Sequence, residues 1–333
     1  MRPRRCCTVS GLPMVKASPM KRKTIVCVTP NAALDRTLVV PDFAIGHISR
    51  IPNAIAAPGG KGLNVLRAVR ILGGQSLAMG LLGGYTGETV AAMVEADGYP
   101  SEWTGFDGET RACTIIASGG ASTVINESGR IAPEDWAALA DDICRVAARP
   151  DVYAICLCGS LPEGAPSDAP AEFVARVNRM GAQLWVDSSK GPLKNALAAK
   201  PYAIKVNRDE IAEAAGVSLR TRAEVLDLAR GLVDDGIGIV VISLGAEGAF
   251  LVADGLAAQA TPPVIEPVDP VASGDCLHAG LITALADGAD PVEALRRGVA
   301  AGTVNALYAG GAQFPYAHFL EILNQTRAKI LTA

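Results

Sequence analysis

The chain has 333 residues, a net charge of −4 and a half-apolar composition, enough for one large α/β domain or two smaller ones. It shows no basic stripe, which argues against nucleic acid as a partner, and no apolar run long enough to span a membrane. Its eight cysteines form no CxxC pair and His47, His278 and His318 lie far apart, so a structural zinc site is not indicated.

Residues 1–19 carry Arg2, Arg4, Arg5 and Lys16 with no acid among them and no long apolar stretch behind them, unlike a secretory leader. Met20 then begins what reads as a natural start. The expectation is that residues 1–19 are disordered or come from an upstream start codon, and that residues 20–333 form the folded domain. Reduced thiols in a cytoplasmic protein explain the cysteines most simply.

From there, β-rich and helical runs alternate. Apolar spacing predicts a strand at 25–29, a helix at 63–72, a strand at 76–82 and a helix at 88–96. Pro133-Glu134-Asp135 opens a helix over 136–147, followed by a strand at 152–158 whose Cys156 and Cys158 share one face. A helix at 168–180, strands at 183–187 and 203–206, a helix from Asn207, a helix at 222–234 and a strand at 239–243 continue the rhythm. Apolar strands separated by helices imply a parallel sheet covered on both faces, with ligands at the carboxyl rim. The rim loops are Gly159-Ser160-Leu161-Pro162, Asp187-Ser188-Ser189-Lys190, Lys205-Val206-Asn207 and Ser243-Leu244-Gly245-Ala246, all rich in small polar residues. Residues 37–57 and 104–126 break the pattern with short β-rich pieces and no helix. They read as a small separate sheet covering the rim or, alternatively, as edge strands of the main sheet.

Asp269-Pro270-Val271-Ala272-Ser273-Gly274-Asp275 runs small residues into the start of a helix, where free N–H groups bind anions. A carboxylate there repels a phosphate, yet it suits a base that takes a proton from an attacking hydroxyl; the plain alternative is a helix cap. Pro58-Gly59-Gly60-Lys61-Gly62-Leu63-Asn64 is neither a Walker A loop nor a dinucleotide fingerprint, but its glycines let N–H groups converge on an anion. Asp35 follows the first strand and reads as a sugar-hydroxyl acceptor or a turn residue. Arg111 reads as a phosphate clamp or a solvated arginine. Lys205, Asn207 and Glu210 cluster where a strand becomes a helix. The last two suit water-mediated magnesium or an N-cap with its capping box. His278 and Cys276 read as packing.

Together these segments resemble the PfkB (ribokinase-like) carbohydrate kinases, in their 1-phosphofructokinase and tagatose-6-phosphate kinase branch. The likeness runs from about residue 24 to the C-terminus. It includes the two signatures at 59–64 and 269–282, and also Gly83-Gly84-Tyr85-Thr86-Gly87-Glu88, Gly108-Glu109-Thr110-Arg111 and Ser243-Leu244-Gly245-Ala246-Glu247-Gly248-Ala249. The resemblance implies a ribokinase-like three-layer α/β/α fold with a mostly parallel central sheet and a small β-lid that often mediates homodimerisation. It implies transfer of the ATP γ-phosphoryl group to a ketohexose phosphate. Fructose 1-phosphate at O6 is the favoured acceptor, tagatose 6-phosphate and fructose 6-phosphate are its rivals, and a sugar-phosphate sensor is the non-enzyme alternative. By the same resemblance Asp275 is the base and Ala272, Ser273 and Gly274 form the anion hole. Lys205, Asn207, Ser243 and Gly245 meet ATP, and Asn207 and Glu210 organise Mg2+ through water. Asp35, Gly59, Gly60, Lys61, Asn64, Arg111 and Ser160 line the sugar-phosphate pocket. The family usually has proline where Ala32 and Val206 stand, glycine where Ala272 stands and a small residue where Leu66 stands.

Overall fold

The computed structural model describes residues 23–118 and 121–331, so the expectation for residues 1–19 lies outside the described residues. The chain enters at β1 (Thr24–Thr29), forms β2 (Ala33–Val39) and β3 (Ala54–Gly59), and turns into α1 (Lys61–Ile71). β4 (Gln75–Leu82), α2 (Gly84–Ala96), β5 (Ser101–Gly105), β6 (Arg111–Ser118) and β7 (Ala121–Asn126) follow. Strands and helices then alternate through α3 (Pro133–Ala147), β8 (Val152–Cys158), α4 (Ala169–Arg179), β9 (Leu184–Asp187), α5 (Lys190–Ala198), β10 (Ala203–Asn207), α6 (Arg208–Ala215), α7 (Arg222–Asp234) and β11 (Ile239–Ser243). β12 (Ala249–Ala253), β13 (Leu256–Thr261), α8 (Ser273–Ala286), α9 (Pro291–Asn305), α10 (Tyr316–Gln325) and β14 (Arg327–Ile330) close the chain.

The main sheet has ten strands in the order β14-β13-β12-β11-β10-β9-β8-β1-β4-β5. Pairings from β5 to β11 are parallel, and β12, β13 and β14 add an antiparallel edge. Side chains alternate across each strand, so β1 serves both faces. Ile25 and Cys27 join the core under α1, α8 and α9, while Val26 and Val28 join the core under α3, α4 and α7. Cys156 and Cys158 lie together in the first of these cores. Full burial on both faces explains why the strands read as unbroken apolar runs.

Four strands in the order β3-β2-β6-β7 make the second sheet. It starts at Ala33, before residue 37, and reaches Gly59, so Asp35 lies within it opposite Ala57 and Cys113. Thr104 and Gly105 belong instead to β5 on the edge of the main sheet.

Three local differences from the sequence reading have physical causes. α2 begins at Gly84, a turn before 88, because the distant Glu109 carboxylate accepts the Thr86 N–H at 2.6 Å and caps the helix from outside. α5 was hidden by Gly191-Pro192, although proline is tolerated in a first helical turn. The β12–β13 hairpin turns through Asp254-Gly255, with Gly255 left-handed at φ +64°.

Candidate active site

The loop into α8 is shaped by one buried amide. Asn305, wholly buried near the end of α9, donates to Val271 O at 2.7 Å and to Ser273 Oγ at 3.1 Å, and accepts the Ala312 N–H at 2.8 Å. Asp269 closes the other side by accepting the Val271 and Gly310 N–H groups at 3.0 and 3.2 Å. Ala272, the N-cap of α8, is left-handed at φ +62°, the conformation that makes glycine the usual residue there. Its methyl group lies toward Gly311, where an added Cβ would come within 3.0 Å of it. Of the expected anion-hole residues, Ser273 closes its N–H onto Pro270 O at 3.2 Å. Ala272 and Gly274 flank it at the helix start.

Asp275, 4 % exposed, sits in the first turn of α8 above a cluster of buried charges. Asp187, fully buried at the end of β9, bridges two lysines: Lys205 at 2.5 Å through Oδ2 and Lys61 at 3.0 Å through Oδ1. Lys61 also reaches Glu210 at 3.2 Å. Gly274 leaves room for this, since a Cβ there would lie 3.0 Å from Lys205 Nζ. Burial opposes the charge of Asp187, but Lys205 and Lys61 prevail and hold its carboxyl well below the usual range. Burial pushes Asp275 the other way, up to about 6, helped by the charge of Asp187 and resisted by Lys205, Lys61 and Asn64. The Asn64 amide donates to Asp275 Oδ2 at 2.8 Å. Two carboxylates in one cluster thus take opposite shifts, the arrangement expected of a base beside a permanent anion. His278 lies buried beneath, against the Trp185 ring; burial pushes it down to about 4, so it is neutral and packs.

Asn207 and Glu210 form the reciprocal cap of α6: Asn207 Oδ1 accepts the Glu210 N–H at 2.8 Å and Glu210 Oε2 accepts the Asn207 N–H at 2.9 Å. Among the described residues no group of three or more His, Cys, Asp or Glu could enclose a metal ion.

On the side of the small sheet, Asp35 lies against Gly59, where any side chain would collide with its carboxylate. Burial raises its pKa, against the Cys113 thiol, Arg67 and Arg111. Gly60 is left-handed at φ +117° and passes the Thr29 methyl group, so it too must be glycine. Ser160 accepts from Asn31 Nδ2 at 3.2 Å. Arg111 is half-buried, and its guanidinium donates to Asn31 O at 3.1 and 3.3 Å and to Glu127 O at 3.3 Å. It borders a shallow concavity with Asn31, Glu109 and Arg130.

On the other side opens a cavity of about 400 Å³ bordered by Ser243, Gly245, Thr261, Leu277 and Val299, which reaches Ser273 and Gly274. Ser243 and Gly245, expected to meet a nucleotide, both border this cavity. Lys205 and Asn207 do not line this cavity; they stand in the charge cluster and at the cap of α6. The sequence reading missed Asp187 and Asn305. An acid ending an apolar strand at the rim was the available signal for Asp187, whereas Asn305 gave none.

Residues 25–316 match the sequence pattern of the pfkB family carbohydrate kinases. The 1-phosphofructokinase of Haloferax volcanii is 33 % identical, over 83 % of this chain and 88 % of that protein. The 1-phosphofructokinase of Rhodobacter capsulatus is 34 % identical, over 82 % of this chain and 87 % of that one. Among solved structures, phosphofructokinase-2 from Escherichia coli in complex with substrates and products superposes with a TM-score of 0.82 at 25 % identity, covering 91 % of this chain and 98 % of that chain.

Proposed function

The chain belongs to the pfkB family of carbohydrate kinases, and on that premise we propose that it transfers the γ-phosphoryl group of ATP to O6 of fructose 1-phosphate, giving fructose 1,6-bisphosphate. The observation that carries this reading is Asp275: a buried carboxylate held by the Asn64 amide, its pKa raised to about 6, in the first turn of a helix whose start at Ser273 and Gly274 lines a cavity of about 400 Å³. A base of that pKa is ionised at neutral pH and still takes up a proton readily.

Asn64 holds Oδ2 of Asp275, which leaves Oδ1 to accept the O6 proton as O6 attacks the γ-phosphorus in line and the bond to the β,γ-bridging oxygen breaks, releasing ADP. The N–H groups of Ala272 and Gly274, at the positive end of the α8 dipole, receive the transferring group, while the Ser273 N–H stays closed onto Pro270 O. Lys61 and Lys205 offset its charge from below. Asp35, Gly59, Gly60, Arg111 and Ser160 hold the sugar phosphate in place, and fixing two reactants side by side supplies much of the rate gain. Ser243 and Gly245 border the nucleotide, and Asn207 helps order its phosphate end.

Glu210 and Asn207 offer hard oxygen donors without a closed cage, which fits magnesium that keeps most of its waters. Bound with ATP, magnesium neutralises phosphate charge. Exposed Val39, Ile55, Val124 and Ile125 on the small sheet support its use as a lid that pairs with a second copy in a homodimer. Among the described residues no helix is long and apolar enough to cross a membrane, and use of ATP and a sugar phosphate suits the cytoplasm.

An ADP-release assay over phosphorylated and free ketohexoses and nucleosides tests the reading. Fructose 1-phosphate is expected to give the highest kcat/KM. Preference for fructose 6-phosphate or tagatose 6-phosphate would move the substrate assignment, and no turnover with any acceptor would leave a sugar-phosphate sensor.

A further inference from the structure

Arg67, in the middle of α1, is half-buried with its guanidinium Nε shielded from solvent, and no part of the phosphoryl transfer above uses it. Its guanidinium donates to Asn64 Oδ1 at 2.5 Å and to Pro58 O at 2.9 Å, the carbonyl that leads into Gly59-Gly60. Asn64 in turn donates through Nδ2 to Asp275 Oδ2. An amide can turn over and exchange its oxygen for its nitrogen, and packing alone scarcely distinguishes the two orientations. Arg67 distinguishes them absolutely, because guanidinium only donates and must face Oδ1. The carboxylate of Asp275 only accepts, so it then meets Nδ2. The remaining surroundings of Arg67 are consistent with a fixed cation: Asp35, Asp97 and Tyr99 lie near it, and Cys276 approaches from α8.

Resting on the kinase reading above, we propose that Arg67 is a positioning residue for the transfer, which locks the Asn64 amide so that it holds Asp275 Oδ2 and leaves Oδ1 aimed at the acceptor. The same guanidinium ties the entry of the glycine loop to the same point, so sugar pocket and base are registered to one side chain. A half-buried charged group is an expensive spacer where an apolar residue would pack as well; its donor-only character is what an apolar residue lacks.

The groups that face Asp275 are Asn64 and Lys61 from α1, Asp187 from β9 and Lys205 from β10, with His278 and Cys276 on its own helix and Cys158 nearby on β8. Of these, Asn64 is the one Arg67 touches.

The test compares Arg67→Met, Arg67→Lys, Asn64→Ala and the Arg67→Met/Asn64→Ala double variant, all as full-length chains. Arg67→Met is expected to lower kcat by about 10- to 100-fold with KM for ATP within about twofold, and Arg67→Lys to recover part of it. If Arg67 acts through Asn64, the double variant is no slower than Asn64→Ala alone. Multiplying losses, or an Arg67→Met variant with wild-type kcat, would overturn the proposal. Titration of the Asp275 carboxyl carbon by NMR reads the same coupling without turnover. Arg67→Met should raise the Asp275 pKa by freeing the amide, and an unmoved pKa would refute the coupling even in a chain that phosphorylates nothing. Should Arg67→Met not fold, the same titration and kcat in Arg67→Lys decide, with unchanged values in both counting against the proposal. Wild-type protein inactive on every acceptor, by contrast, would sink the kinase reading and leave the Arg67–Asn64–Asp275 coupling to the titration.

Discussion

Two regions meet at Gly274, and they are built on opposite terms. Below it lies a floor of charge, in which Asp187 bonds Lys205 and Lys61 and Asp275, held by Asn64, feels the charges of all three. Beside it lies a cavity of about 400 Å³ whose walls are mostly apolar, with hydroxyls at Ser243, Thr261, Ser273 and Thr303 as its side-chain polar groups. The floor has one workable arrangement, because a buried charge without its partner costs several kcal/mol. The cavity works by shape, and shape degrades gradually as methyl groups are removed. The proposed chemistry falls in the rigid region and the proposed nucleotide binding in the tolerant one.

Substitutions should separate the two regions by size of effect. Asp275→Asn should lower kcat by roughly two or more orders of magnitude with little change in KM for ATP; a nearly wild-type kcat would end the assignment of Asp275 as the base. The same variant should melt at or above the wild-type temperature at neutral pH. The sign follows from linkage: the folded pKa is raised to about 6, so the folded state binds the proton more tightly than the unfolded one. That contribution is complete below the ordinary carboxylate pKa and is lost as pH rises through about 6. The melting advantage of Asp275→Asn should therefore grow across that interval, while wild-type kcat/KM climbs across about pH 6 as the base ionises.

Asp187→Ala strips the buried Lys205 of its partner and should cost about 3–5 kcal/mol in urea unfolding. A loss below about 1 kcal/mol would show that the floor is less interdependent than its geometry indicates. Arg111→Ala should raise KM for the sugar phosphate by about tenfold and leave KM for ATP nearly unchanged, since it removes a cation held at the small sheet by backbone carbonyls. Equal effects on both would take Arg111 out of the sugar pocket. In the cavity, Val299→Ala should raise KM for ATP by only about three- to tenfold, the worth of one or two methyl groups. Smallest of all, Ala272→Gly should change stability by less than about 1 kcal/mol, because relief of a left-handed alanine is offset by the greater freedom of glycine in the unfolded chain. Its methyl group leans toward Gly311, so steady-state rates should move by about twofold or less.

Much of the floor was legible one residue at a time. Asp275, Lys61, Lys205 and Asn64 stand in short segments whose glycines and helix starts announce an anion site. Their mutual distances were not legible, because they come from α1, β10 and α8. Asp187 illustrates the limit: its loop was recognised at the rim, but its grip on two lysines joins Lys205 on the neighbouring strand β10 to Lys61 on α1, far away in the chain. The Asn207/Glu210 pair shows the reverse. Its local capping geometry was readable from spacing, and the structure adds the contact of Glu210 with Lys61.

By itself the sequence determined the alternation of strand and helix, the parallel sheet and the carboxyl rim, since periodicity and helix starts are local consequences of backbone geometry and burial. It also determined the membership in the pfkB family, through ordered short motifs. Tertiary structure decided where α2 begins, because its cap comes from Glu109. It decided that Thr104 pairs with the main sheet while Asp35 pairs with the small one, and that Asp187 and Asp275 shift in opposite directions. Each of these depends on which groups are brought together through space and shielded from water, and neither contact nor shielding is written in neighbouring residues.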